Sequence, residues 1–167
     1  MTPGLPEWAV VTPKRRAHVE RVAALLASWA DAMRVDSIER ERWLRAAYLH
    51  DALRDAPFDS RTAHGPAAAD RAAREGERDR GVLEAVRYHT IGYAGWDEVG
   101  RMLYLADFLE PGRTQLADER AALAARVPTE RDVVLTDVAR RRIEGILRTA
   151  WPLAPETVEF WNALVAR

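Results

Sequence analysis

Apolar positions along this chain recur at spacings of three and four, and no stretch alternates with period two. That pattern predicts helices and no strands. Thr12-Pro13 starts the first helix, threonine as N-cap and proline in the first turn, and His18, Val22, Leu25, Leu26 and Trp29 share one face. Asp36 with Glu39 resembles a capping box and opens a second helix with Trp43, Ala46, Ala47 and His50 inward. Asp55-Ala56-Pro57-Phe58-Asp59 breaks it. His64-Gly65-Pro66 opens a small alanine-rich helix, and a fourth carries Val82, Leu83, Val86 and His89. Thr90 to Gly95 reads as a loop. A fifth helix carries Val99, Met102, Leu103, Ala106 and Asp107 and ends at Pro111-Gly112. Thr129 with Asp132 begins a long helix that Trp151-Pro152 stops, and Pro155-Glu156 begins a last one with Phe160, Trp161 and Leu164. The expected architecture is one all-α domain over 1–167, a bundle of seven or eight helices. Its motifs lie in about 15–113, and helices in 118–167 complete it.

Composition narrows the function. At 167 residues the chain can bury roughly 70% of its unfolded surface. A net charge of -1 carries no polyanion signature, so no nucleic-acid polymer is expected as partner. Among 25 basic residues only Lys14 is lysine, which reads as codon bias. The absence of cysteine excludes disulfides, zinc–thiolate sites, thiolate-bound iron–sulfur clusters and a thiol nucleophile. No apolar run approaches the ~20 residues of a membrane span, and MTPGLPEWAVV lacks the pattern of a signal peptide. A cytoplasmic protein without a membrane partner is expected.

The chemistry resides in the histidines. There are four: His18, His50 followed at once by Asp51, His64 and His89, with Asp107 downstream. Four imidazoles and two carboxylates are the right set for two adjacent divalent metals sharing one carboxylate. A lone histidine on an apolar face is more often a hydrogen-bonded core residue; the case rests on the set. His50-Asp51 supplies two ligands near a helix end. Asp107 on an apolar face costs several kcal/mol unless it meets a cation or strong hydrogen bonds; its alternative reading is a buried partner to an arginine. Nitrogen and oxygen donors without sulfur suit iron, manganese, cobalt, nickel or zinc. Two such ions can lower the pKa of a shared water from 15.7 toward roughly 7.

With these residues in view, the chain resembles the HD-domain metal-dependent phosphohydrolases, and within them the YqeK branch of symmetrical bis(5'-nucleosyl)-tetraphosphatases. Tyr88-His89-Thr90-Ile91-Gly92 resembles YHTTG, and Ala106 to Arg113 resembles ADYIEPGR. Pro155-Glu156-Thr157 with Trp161-Asn162-Ala163-Leu164 resembles the family tail. The resemblance implies hydrolysis of diadenosine tetraphosphate to two ADP by metal-activated hydroxide, with two divalent metal ions, iron foremost. It implies that His18, His50, Asp51 and Asp107 hold one metal, and Asp51, His64 and His89 the second. Asp51 and Arg54 are the candidate catalytic residues; Arg54, Thr90, Gly92 and Arg113 are the candidates for binding substrate. Arg54 stands where the family commonly has lysine, and Ile91 where it has threonine.

Other readings are an HD hydrolase of another nucleotide, a di-iron oxygenase, and a non-catalytic nucleotide sensor. The partner is a small dinucleoside polyphosphate; a homodimer is compatible with the sequence. For Arg113 the plain alternative is an exposed loop residue, and for Thr90 a local cap. Tyr93, between Gly92 and Gly95, suits either an aromatic lid over an adenine or a structural turn. Arg140-Arg141-Arg142 reads as a solvated helix face without a substrate role. The six tryptophans need no ligand to explain them.

Overall fold

A computed structural model describes residues 3–166. The elements are α1 Pro13–Ala32, α2 Ser37–His50, α3 His64–Arg74, α4 Arg80–Tyr88, α5 Glu98–Leu109, α6 Ala117–Arg148 and α7 Pro155–Val165, with no strand among the described residues. The all-α expectation therefore holds; of the expected span 1–167, positions 1, 2 and 167 lie outside the described residues. Nine of the 12 residues of α5 are buried, including Asp107, so this helix is the axis of the bundle. The predicted inner faces pack against it: His18, Val22, Leu26 and Trp29 of α1, and Trp43, Ala46, Ala47 and His50 of α2. Leu25 is only partly buried.

Small residues set how closely the helices approach. A β-carbon at Gly65 would lie 2.9 Å from the Arg87 carbonyl oxygen, so α3 packs on α4 only because that position is glycine. At the other end of the bundle one guanidinium fastens three helix starts. Arg42 donates to Glu39 (2.7 Å), to both oxygens of Asp79 (2.6 and 2.9 Å) and to Asp97 (2.7 Å). Asp79 and Asp97 are the N-caps of α4 and α5. The helices α2, α4 and α5 thus run from one clamp and end together, carrying His50-Asp51, His89 and Asp107 at their far ends.

One cap and three boundaries differ from the sequence reading. Asp36 does cap Glu39 N–H at 2.9 Å, but the Glu39 carboxylate turns to Trp43 Nε1 (2.9 Å) and Arg42 instead of completing the box. α2 stops at His50, before the Asp55–Asp59 segment, and α4 stops at Tyr88 with His89 as C-cap. The long helix starts at Ala117, well before Thr129, and runs through Pro128 with a break at Glu130 (φ -132, ψ 36). Proline removes the donor to the carbonyl four residues back. That carbonyl, Ala124 O, accepts from Trp29 Nε1 at 3.0 Å, which compensates the loss.

The family-like tail has a structural use. The Thr157 hydroxyl donates to Ile91 O at 2.7 Å, and Phe160 packs on Gly92, so α7 pins the loop that follows His89. Gly92 has φ +86, and a β-carbon there would lie 2.5 Å from the Phe160 ring. Both strain and overpacking oppose a side chain, so Gly92→Ala is expected to destabilise the protein by about 2 kcal/mol or more. A urea or thermal unfolding curve indistinguishable from wild type would contradict this.

Candidate metal centre

All six residues singled out as ligands come together in the buried interior, each less than a tenth exposed. Asp51 lies at the middle. Its Oδ1 is 3.2 Å from His64 Nε2 and 3.3 Å from His89 Nε2. Its Oδ2 is 3.6 Å from His18 Nε2 and 3.7 Å from His50 Nε2. Asp107 Oδ1 lies 3.0 Å from His18 Nε2 and 3.8 Å from His50 Nε2. Two trios, His18–His50–Asp107 and His50–Asp51–His89, have ligand atoms within 4.8 Å of one another. His64 joins through His89, with their Nε2 atoms 3.2 Å apart. Metal–ligand bonds of about 2.1 Å place two donors on one ion roughly 3–4 Å apart, the range in which the imidazole–carboxylate pairs fall.

The backbone explains why three of the four rings aim inward. Nδ1 of His50 donates to Ala47 O (2.6 Å), that of His89 to Val86 O (2.8 Å) and that of His64 to Arg61 O (3.1 Å). Each acceptor lies three residues back, and at the ends of α2 and α4 these are carbonyls that a helix leaves without partners. Nδ1 of His18 instead donates to Glu110 Oε1 at 3.1 Å. With every Nδ1 bonded away, each Nε2 is the nitrogen left facing the centre, the one a metal ligand needs. Nε2 of His18 and His50 are buried and make no hydrogen bond; the Asp107 oxygen near His18 lacks the alignment for one. These orphaned nitrogens, and two facing lone pairs at His64 and His89, fit a divalent cation. The negative ends of the α2, α4 and α5 dipoles favour positive charge at the same point.

Protonation follows. Burial lowers the His50 pKa to about 4, so this ring is neutral. Burial also opposes charge on His18, but Asp107 and Glu110 outweigh it and raise its pKa to about 9. Burial works against ionised Asp51 and Asp107 as well, yet the surrounding imidazoles, with Arg142 beside Asp107, hold both carboxyls well below the ordinary range.

The candidate substrate residues surround this cluster in separate recesses. Arg113 lines a cleft of about 470 Å³ beside His18, with Lys14, Arg15, Arg21 and Arg120, and donates to Asp107 O at 3.1 and 3.3 Å. Arg54 lines a smaller cavity of about 220 Å³ with Arg61 and His64. The Thr90 hydroxyl is 3.3 Å from His89 Nε2. Gly92 is buried under Phe160, and Tyr93 is stacked on Tyr88 (centroids 4.3 Å apart), the structural-turn reading of that loop.

The sequence reading missed three contacts and misjudged one side chain. Glu110, 2% exposed, accepts from His18, from Arg21 Nε (2.6 Å) and from Gly112 N–H (2.7 Å), fixing the His18 ring. Arg15 donates to Asp51 Oδ2 at 2.9 Å, and Thr157 holds the His89 loop. Arg140 is solvated as expected, but Arg142 turns inward to Asp107 Oδ2 and Tyr104 O, each at 3.1 Å. Asp107 therefore is both partner to an arginine and neighbour of His18.

Four inward imidazoles around two carboxylates in a helical bundle define a class: all-α proteins with a buried His–Asp cluster able to hold divalent metals. The HD domain model matches residues 15–136, and the chain belongs to that family. It is 31% identical over 105 residues to the symmetrical bis(5'-nucleosyl)-tetraphosphatase of Bacillus subtilis (62% of this chain, 55% of that protein). It is 28% identical over 103 residues to the enzyme of the same name from Halalkalibacterium halodurans (61% and 54%). The chain thus spans about half the length of the curated relatives it matches. A predicted HD superfamily hydrolase involved in NAD metabolism from Clostridium acetobutylicum has the same fold, with TM-score 0.79 at 22% identity over 94% of this chain and 92% of that one. No helix among the described residues is long and apolar enough to cross a membrane.

Proposed function

We propose that this chain is a metal-dependent hydrolase that cleaves diadenosine tetraphosphate symmetrically, adding water to give two ADP. The observation that carries the reading is Asp51, whose two oxygens face different imidazole pairs, as a carboxylate shared by two cations must. His18, His50, Asp51 and Asp107 would hold one ion, and Asp51, His64 and His89 the other, with iron the first choice. Two such ions, when bound, supply acidification of water and neutralisation of charge on phosphoryl oxygens. Asp51 orients the site. Arg113 and Arg15 on the His18 side, and Arg54 on the His64 side, bind phosphate oxygens by charge-assisted hydrogen bonds, and the Thr90 hydroxyl adds another. Cations on both flanks suit a polyphosphate that extends both ways from the cleaved bond. We assign the enzyme to the cytoplasm, as one domain acting on a small-molecule substrate, and a homodimer is compatible with it.

Product analysis tests the reading. Diadenosine tetraphosphate is expected to give ADP alone, with two metal ions per chain; AMP plus ATP would exclude symmetrical cleavage. Metal loading has its own signature. His18 titrates near 9 without metal, so at neutral pH a cation must expel its proton. Its folded pKa is raised, so the proton's contribution is complete below about 6.5 and lost as pH rises through about 9. Metal affinity is therefore expected to increase with pH up to that value, with proton release on binding. Calorimetry in buffers of different ionisation enthalpy checks this; identical heats across buffers would contradict it.

A further inference from the structure

On the Thr90 side of the centre a groove of about 920 Å³ opens between the 60–62 turn, the last turns of α6 and the 151–157 segment. Its inner end is polar and reaches the ligands: it is lined by Thr90, 3.3 Å from His89 Nε2, and by Arg142, 3.1 Å from Asp107 Oδ2. Its outer walls are apolar, with Ile91, Ile146, Leu153 and Trp151. The Arg61 guanidinium lies 3.4 Å from the Trp151 ring centre, close enough for a cation–π contact. Trp29, Trp43 and Trp96 are buried in the core, whereas Trp151 is 44% exposed. The core does not account for that indole. Ala150, at φ 56, turns the chain out of α6 just before it.

Taking the hydrolase reading as its basis, we propose that this groove is the nucleoside subsite. The base stacks against the Arg61–Trp151 pair, and the phosphates lead inward past Thr90 to the metal ligands. The match is one of polarity along a length: a flat apolar ring at one end of a nucleotide, anionic oxygens at the other, against an aromatic outer end and a hydroxyl and guanidinium at the inner end. The volume lies within the range of small-molecule sites, about 300–1,000 Å³. Stacking on an aromatic face accepts any base, so ADP and GDP should bind alike.

The test uses the full chain loaded with manganese and measures binding of ADP and of pyrophosphate by calorimetry. Trp151→Ala is expected to weaken ADP about tenfold while pyrophosphate stays within twofold, and Trp151→Phe to restore most of the loss. The thermal midpoint checks that the exposed substitution leaves the fold in place. Unchanged ADP binding, or equal weakening of both ligands, overturns the subsite. Failure of the hydrolase reading looks different: wild-type protein would leave diadenosine tetraphosphate intact while Trp151 still governed ADP affinity. Hydrolysis with ADP binding indifferent to Trp151 would sink the subsite alone.

Discussion

Asp51→Ala is expected to empty both metal positions and lower hydrolysis by about a thousandfold or more, with helical content retained. The size follows from what the pair of ions supplies, several kcal/mol of transition-state stabilisation, at about 1.4 kcal/mol per tenfold in rate. The double loss follows from geometry: one oxygen of Asp51 faces His64 and His89, the other His18 and His50. Asp51 is the C-cap of α2, not a core packing residue, so the helix should survive. His64→Ala makes the contrast, because its Nε2 meets only Asp51 Oδ1 and His89. It should lose one ion and most turnover while keeping the other. Metal content by plasma emission, beside far-UV circular dichroism, distinguishes the variants; one ion retained in Asp51→Ala would sink the shared-carboxylate arrangement.

Glu110→Ala is the second large effect, and here stability and metal affinity fall together. The carboxylate receives His18 Nδ1, Arg21 Nε and Gly112 N–H, and its removal strands all three donors. The His18 ring loses the bond that sets its tautomer, so metal affinity is expected to drop about 10- to 100-fold. Removing one member of a buried ion pair costs about 3–5 kcal/mol; with Arg21 37% exposed, solvent reduces this to about 2. Burial opposes the charge, yet His18, Arg21 and Gly112 pull the Glu110 pKa from 4.5 to about 2. The folded value is depressed, so the stabilisation is present above about 4.5 and is lost as pH falls through about 2. The variant's acid-unfolding curve should therefore be flatter over that window; the same acid dependence as wild type would contradict this role.

These two residues also show what could be read from the chain. Asp51 was legible because its neighbour is histidine and its place a helix end, and the clustering of the six candidate ligands could be expected from the order of residue types alone. The helical faces were legible because Val22, Leu26, Trp43 and Ala46 repeat with the helix. What escaped were contacts between segments remote in sequence. Glu110 reaches His18 across 92 positions, and Thr157 reaches Ile91 across 66; no local spacing encodes either. Arg142 escaped for the same reason: beside Arg140 and Arg141 it has the composition of a wet surface, and only the packing of α6 on α5 brings it to Asp107. The expected start at Thr129 erred in the opposite direction. The helix begins at Ala117 and runs on through Pro128, where a tryptophan from α1 takes up the carbonyl that proline frees.

The hold of Thr157 and Phe160 on the loop behind His89 carries a consequence for biosynthesis. On the ribosome, α1 to α5 emerge with every imidazole and both carboxylates already made, yet the hydrogen bond to Ile91 O and the packing on Gly92 wait for α7. The clamp on the segment after His89 therefore forms late, once the last helix has left the exit tunnel. A nascent chain stalled short of Pro155 would carry all six residues of the cluster without the clamp that α7 adds.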